Sequence, residues 1–254
     1  MKLYTFVGGY IHSTYNLSIK GGEPRPIFVP APFYLVEHPL GYVLFDTGYN
    51  KKAIEDPAGF LGKEVYDDFA PELDMDHYVV NSLEKIGVKP EDVKFVVMSH
   101  LHYDHAGGLE SFKNAKIIVH KTEFEHAYEN MDTGFYFSAD FDHDLDWFKL
   151  EIDKDTPYDL FDDGKVKIYF TPGHTPGHMS MQVDLEKEGR IFLTADCVYC
   201  EENVTARTPS PISFNEEDYI RGIDVLRLKA AQGVKIIIGH DADQKVKIAP
   251  EYYE

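Results

Sequence analysis

The stretch SHLHYDHAGG, Ser99 to Gly108, decides how the rest of the chain is read. It places His100, His102, Asp104 and His105 within six positions, directly after the apolar run KFVVMS. A solvated turn that happens to be rich in histidine is the bland explanation. Half of a metal site is the alternative, and the wider chain discriminates. In an extended segment residues two apart point the same way, so His100 and His102 present their imidazoles to one side. Asp104 and His105 then turn away toward a second position.

Working outward, KFVVMS reads as a buried strand with the histidines at its C-terminal end, and AKIIVH as the next strand. Upstream, KLYTFVGGY, PFYLVEH and YVLFDTG are strand-like, with LGY as a hairpin turn between the last two. The Gly/Pro-rich GGEPRPIFVPAP is expected to be irregular, within an N-terminal excursion over about residues 8–33. HYVVNSLEKIG, from His77, reads as a helix stopped by Gly87. Residues 123–150 hold many aromatics and acids without a clean period, and are expected to form a helical insertion or lid.

In the second half KVKIYFTPG and GRIFLTADC read as strands, with SMQVDL pairing between them. NEEDYIRGIDVLRLKAAQG reads as a helix capped by Asn215 or Ser213, with its apolar stripe at Tyr219, Ile223, Leu226 and Ala230. VKIIIGHD is a final buried strand that again ends in histidine. Each half therefore combines strands with a helix, which predicts one α/β domain over residues 1–254: two β-sheets packed face to face with helices outside.

Sheet-based enzymes place their chemistry at the C-terminal ends of buried strands. Four segments here end that way: the His100–His105 group, His174 after KIYFTPG, Asp196 after RIFLTA, and His240 after VKIII. One strand-end histidine is more often a satisfied surface residue than a ligand. Four such ends carrying only His and Asp are hard to explain so. Imidazole and carboxylate without thiolate suit zinc, iron or manganese. Asp196, with two oxygens, can bridge two ions about 3.5–4 Å apart.

Composition removes other classes. A formal charge of −19 with no dense Lys/Arg cluster argues against nucleic acid and against anionic membrane surfaces. No run of about eighteen apolar residues is present, and the start, MKLYTFVGGYIHS, lacks a signal-peptide pattern, so a cytoplasmic protein is expected. The two cysteines, Cys197 and Cys200, form a C-x-x-C without a thioredoxin-like context, and are expected to be buried residues at a strand end rather than a redox pair.

HLHYDH at His100 to His105 resembles the H-x-H-x-D-H signature of the metallo-β-lactamase superfamily. DTG at Asp46–Gly48, TPGHTPGH, TAD at Thr194–Asp196 and GHD at Gly239–Asp241 extend the resemblance over nearly the whole chain. The resemblance implies a four-layer αββα sandwich of two mixed β-sheets flanked by helices. It also implies two divalent ions, zinc first, with iron, manganese or cobalt as alternatives. His100, His102 and His174 would hold one ion, Asp104, His105 and His240 the other, with Asp196 bridging. His178 would support or pack, and Asp46 would hydrogen-bond a ligand. His12, His38, His77, His120, His126 and His143 are expected to be structural or surface residues, with His143 the one that could face substrate from the lid.

Within the superfamily the chain is most similar to the N-acyl-homoserine lactonases, through LYTF near the start, SHLHYDHAGG, KTEFE, D-x-x-Y at Asp196–Tyr199 and GHDADQ. That similarity implies opening of a lactone ring by a metal-bridging hydroxide, with Tyr199 contacting substrate and Asp104 passing a proton to the leaving oxygen. It also makes a homodimer plausible. Phosphotriesterase or phosphodiesterase and thioesterase activities are the alternatives, and a non-catalytic metal-binding protein is another. A thioesterase of the glyoxalase II type is expected to carry a basic helical extension, and this chain stops fourteen residues after His240. A di-iron oxygen-reducing protein would have an acid in place of His102.

Overall fold

In β3 (Gly41–Phe45) Val43 and Phe45 point to one face of the sheet and Leu44 to the other, and all three are fully buried. The strand therefore has apolar neighbours on both sides. In the computed structural model, which describes all 254 residues, it lies inside a seven-stranded sheet. The order is β4 (Ala70–Glu72), β1 (Lys2–Thr14), β2 (Pro26–His38), β3, β5 (Val93–Val97), β6 (Lys116–His120) and β7 (Asp146–Leu150). Strands β4, β1, β2 and β3 pair antiparallel, while β3, β5, β6 and β7 run parallel. A second sheet has the order β12 (Lys235–Ile237), β11 (Gly189–Leu193), β10 (Met179–Leu185), β9 (Val166–Phe170) and β8 (Tyr158–Asp159). It is antiparallel except for the parallel pair β11–β12.

The layers follow from the two-residue alternation. Tyr34, Val36, Val43, Phe45, Val97 and Ile118 face Ile168, Met179, Met181, Val183, Ile191 and Leu193 across the gap between the sheets. The intervening residues Phe33, Leu35, Leu44, Val96 and Ile117 pack outward with Val79 and Leu83 of the helix Val79–Glu84 and Ala127 of the helix Lys121–Glu129. On the far side, Phe192 meets Tyr219, Ile223 and Leu226 of the helix Glu216–Ala231. Two mixed sheets between two helical layers give the αββα sandwich.

Several local expectations change. Most of the excursion expected to be irregular over about residues 8–33 is strand: residues 8–14 continue β1, and residues 26–33 form the first half of β2, paired with β1 from Pro26↔Thr14 onward. The prolines are tolerated because β2 meets β3 only from Tyr34, so one edge of this half is open and a missing N–H there costs little. The segment 123–150 is only partly helical: after Lys121–Glu129 comes one turn at Ser138–Phe141, then the edge strand β7. The helix expected from His77 is regular only over Val79–Glu84. Helices at Lys51–Glu55 and Pro57–Asp68 were not foreseen; the Asn50 and Asp56 side chains cap them, and Gly62 (φ 71°) breaks the second. Asn215, not Ser213, caps the helix Glu216–Ala231, and Ala230 is exposed rather than part of its buried stripe.

The parallel strands do the positioning. Strands β3 and β5 in one sheet and β11 and β12 in the other each end on the same rim, and a loop leaves each end. Asp46 follows β3, the SHLHYDH loop follows β5, Asp196 follows β11 and His240 follows β12. The loop between β9 and β10 adds His174. The Met179 N–H donates to the Ser99 carbonyl at 2.8 Å and so ties the rims of the two sheets together.

Candidate metal centre

All seven residues expected to bind metal converge on this rim, and all are buried. His100 Nε2, His102 Nδ1 and His174 Nε2 form a triangle with edges of 3.1, 3.2 and 3.0 Å. Tetrahedral Zn–N bonds of about 2.0–2.1 Å require nitrogens about 3.3 Å apart, so the triangle is close to one face of such a site. Opposite it, Asp104 Oδ2 lies 3.4 Å from His105 Nε2 and 3.6 Å from His240 Nε2. Asp196 sits between the groups. Its Oδ1 is 3.1 Å from His105 Nε2 and 3.2 Å from His240 Nε2, and its Oδ2 is 3.4 Å from His174 Nε2.

Partners on the far side of three of the five rings show which nitrogen carries hydrogen when the ring is neutral. His240 Nδ1 is 2.7 Å from the Pro30 carbonyl, which can only accept, so Nδ1–H donates and Nε2 is a bare lone pair. His105 Nδ1 donates to Asp46 Oδ2 at 2.9 Å, with the same result. Asp46 also accepts from the Ser99 N–H and hydroxyl, both at 2.7 Å. Having donated to Asp46, the Ser99 hydroxyl accepts from His100 Nδ1 at 2.9 Å, which leaves His100 Nε2 bare. Lone pairs thus point at one another and at carboxylates. His105 Nε2 and Asp196 Oδ1 are buried without a hydrogen-bond partner. With these rings neutral, such acceptors facing one small volume are costly unless positive charge, a proton or a metal ion, sits among them. The donor set therefore fits divalent metal ions.

Electrostatics divide the cluster. Burial holds His102 and His174 at about 3, and together with neighbouring imidazoles holds His100 well below the usual range. These rings are neutral, as ligands must be. Burial also pulls His105 and His240 down, but the carboxylates of Asp104 and Asp196, with Asp46 for His105, outweigh it and raise both, His105 well above its ordinary value; without a metal ion their Nε2 atoms hold protons toward Asp196, and a divalent cation would take the place of those protons. Burial works against the Asp196 carboxylate, yet His240, His105 and His174 keep it well below the usual range. Backbone strain is present here as well: Asp46 (φ 62°) and Ala195 (φ 45°), beside Asp196, adopt left-handed conformations.

The remaining histidines fall outside the cluster. His178 Nδ1 donates to the Thr171 carbonyl at 3.1 Å, and its Nε2 accepts the Asp196 N–H at 3.1 Å. It thereby holds the backbone of Asp196. His143, which could have faced substrate, instead turns back onto the Ala139 carbonyl at 3.1 Å. His38 stacks on Phe161, and His120 caps the helix Lys121–Glu129. Cys197 and Cys200 are free, buried thiols, and burial pushes Cys197 up to about 12, far from a reactive thiolate.

Above the cluster opens a cleft. His102, Asp104, His174, Tyr199 and His240 line it together with Ile11, Ile27, Val29, Phe69, Tyr103 and Phe135. The Tyr199 hydroxyl lies 2.9 Å from His174 Nδ1. Sequence reasoning missed three supports of the site: Ser99, the Pro30 carbonyl, and Glu123, which stood only inside the KTEFE motif. A strand-end serine and a helix glutamate carry no spacing signal, and a backbone carbonyl carries no residue signal at all.

The loops that converge here come in the order that the HLHYDH stretch implies, and the chain belongs to the metallo-β-lactamase superfamily, whose family model matches residues 27–240. Along its full length it is similar to the N-acyl homoserine lactonase AttM of Azorhizobium caulinodans, with 34% identity over 261 residues, 100% of this chain and 99% of the relative. It is 32% identical to the N-acyl homoserine lactonase AiiA of Bacillus thuringiensis subsp. kurstaki over 257 residues, 99% of this chain and 98% of that one. Among solved structures, an N-acyl homoserine lactone hydrolase superposes with a TM-score of 0.89 at 30% identity, covering 99% of this chain and 98% of its own. That structure holds the product N-hexanoyl-L-homoserine at its catalytic metal centre. No helix of the chain is long and apolar enough to cross a membrane.

Proposed function

We propose that the chain is a dinuclear metal-dependent lactonase that opens N-acyl-homoserine lactones. His100, His102 and His174 would hold one ion, Asp104, His105 and His240 the other, with Asp196 shared between them. The observation that carries the reading is the Asp196 carboxylate, whose two oxygens face the two groups of imidazole nitrogens on the floor of an apolar-walled cleft. The full-length similarity to lactonases selects the substrate class. Zinc as the resident ion and a cytoplasmic location belong to the same proposal.

Two divalent ions bound there would supply an acidified water, its pKa lowered toward about 7, and a Lewis acid for the carbonyl. Tyr199 supplies the directional part. If His174 Nδ1 carries hydrogen and donates to the Tyr199 oxygen, the phenol's own hydrogen is free for the lactone carbonyl oxygen as negative charge develops there. Water adds to the carbonyl carbon and the ring C–O bond breaks. Asp104, which lines the cleft, takes the proton that the attacking water gives up and passes it to the departing oxygen, giving the open hydroxy acid. Ile11, Val29, Phe69 and Phe135 give the acyl chain an apolar wall.

The test is a metal assay followed by a proton-release screen over acyl-homoserine lactones, thioesters, phosphotriesters and β-lactams. Two ions per chain with lactone turnover far above the others supports the reading. Preferential phosphotriester turnover moves the chain to another reaction class. Bound metal without turnover of any of them leaves a metal-binding protein.

A further inference from the structure

Glu123 is fully buried in the first turn of the helix Lys121–Glu129, and each of its oxygens serves a different loop. Oε1 accepts the Leu101 N–H at 3.1 Å and the Tyr136 hydroxyl at 3.0 Å. Leu101 lies between His100 and His102, and the Tyr136 ring packs on His102 with centroids 4.7 Å apart. Oε2 accepts the Thr175 hydroxyl at 2.6 Å and the Gly177 N–H at 3.1 Å. Thr175 follows His174 directly. One carboxylate thus fastens the loop after β5, in the first sheet, to the loop between β9 and β10, in the second.

The close approach of Gly177 is an independent sign that the two loops are seated here. A Cβ on Gly177 would fall 2.1 Å from the Glu123 nitrogen and 2.4 Å from its Cα, so the loop lies directly on the helix backbone. Four donors match the four lone-pair directions of a carboxylate, and neither glutamine nor a smaller acid can accept all of them in place. The imidazoles next to the fastened residues, His100 and His102 on either side of Leu101 and His174 before Thr175, are the ones in the 3.0–3.2 Å triangle. Nothing else ties Leu101, Tyr136, Thr175 and Gly177 through a single group. Glu123 makes no hydrogen bond to any of the seven cluster residues and does not line the cleft.

We propose that Glu123 is a positioning residue that sets the spacing of His100, His102 and His174, and so the metal affinity of the three-histidine side alone. The proposal rests on the reading of this cluster as a two-metal centre. Supporting hydrogen bonds around metal ligands are typically worth 10–100-fold in affinity.

The test is chelator-competition titration with zinc and with cobalt in two backgrounds. His240→Ala leaves the three-histidine side intact, and His102→Ala leaves the Asp104/His105/His240 side. Adding Glu123→Gln is expected to weaken metal binding about 10–100-fold in the first background, shift the visible spectrum of bound cobalt there, and leave the second within twofold. Thr175→Val, which removes one donor, is expected to give a smaller shift of the same sign. Equal weakening in both backgrounds, or none in either while the wild-type chain binds two ions, overturns the positioning role. A wild-type chain that binds no second ion overturns the two-metal reading instead. If Glu123→Gln does not fold, Thr175→Val alone decides, by the same comparison.

Discussion

The Tyr199 hydroxyl and His174 Nδ1 are 2.9 Å apart, so a residue of the cleft wall and a residue of the metal cluster share one hydrogen. With His174 Nδ1 as the donor, the hydrogen bond holds the phenol over the cluster and leaves its own hydrogen free toward the cleft. Tyr199→Phe removes that donor and keeps the ring. The expected loss in kcat is about 10²-fold, comparable to removing one donor from an oxyanion hole, with metal content unchanged. Steady-state kinetics beside a metal assay check it. An unchanged kcat would take Tyr199 out of the chemistry.

Asp46 touches neither cleft nor triangle, yet it orients His105 and, through Ser99, His100. In Asp46→Asn the amide nitrogen must oppose at least one of three donors. Metal affinity is expected to fall about 10–100-fold, with KM for lactone nearly constant once metal is saturating. Chelator titration followed by kinetics at saturating zinc separates the two effects. Wild-type affinity in the variant would show that the strained backbone at Asp46, not its side chain, is what matters.

Removing the ions loosens the rim that joins the sheets. A ligand at 100 times its Kd stabilises by about 2.7 kcal/mol per site, which for a domain of this size is about 5–10 °C in Tm. Thermal unfolding with and without chelator, then with zinc restored, measures the shift. A Tm indifferent to chelator would mean that the seven side chains are held in place without metal.

Gly107 packs where no side chain fits, since a Cβ there would lie 1.9 Å from the Asn50 nitrogen. Its N–H also donates to the Gly48 carbonyl at 2.8 Å. Gly107→Ala must push the HLHYDH loop off the 48–50 segment, at an expected cost of about 1–3 kcal/mol. Denaturant unfolding of the metal-free protein reads this without interference from the ions. Full stability would mean that the loop yields freely, and with it the argument that close packing holds Asp104 and His105.

Much of this was legible in the sequence because it lies in residue type and order. His and Asp at the ends of apolar strands gave all seven cluster residues, and D-x-x-Y gave Tyr199. What sequence reading missed lies in pairing. Pro30 and Pro32 argue locally against a strand, and become one because β1 supplies a partner on one side and nothing on the other. Strand β7 hid because aromatic and acidic neighbours blur its two-residue period. Glu123 was passed over because a glutamate in a first helical turn is ordinary until four donors from distant loops are seen to meet it.

The Pro30 carbonyl has a consequence for anyone who reshapes the substrate cleft. It lies in the β1–β2 hairpin, which also lends Ile11 and Val29 to the cleft wall, and it fixes the tautomer of His240 from 210 residues away. Grafting that hairpin from a relative to change acyl preference would therefore retune the second metal position unless the graft returns an acceptor to the same point. Selectivity and metal loading are inherited together through one arm of the chain.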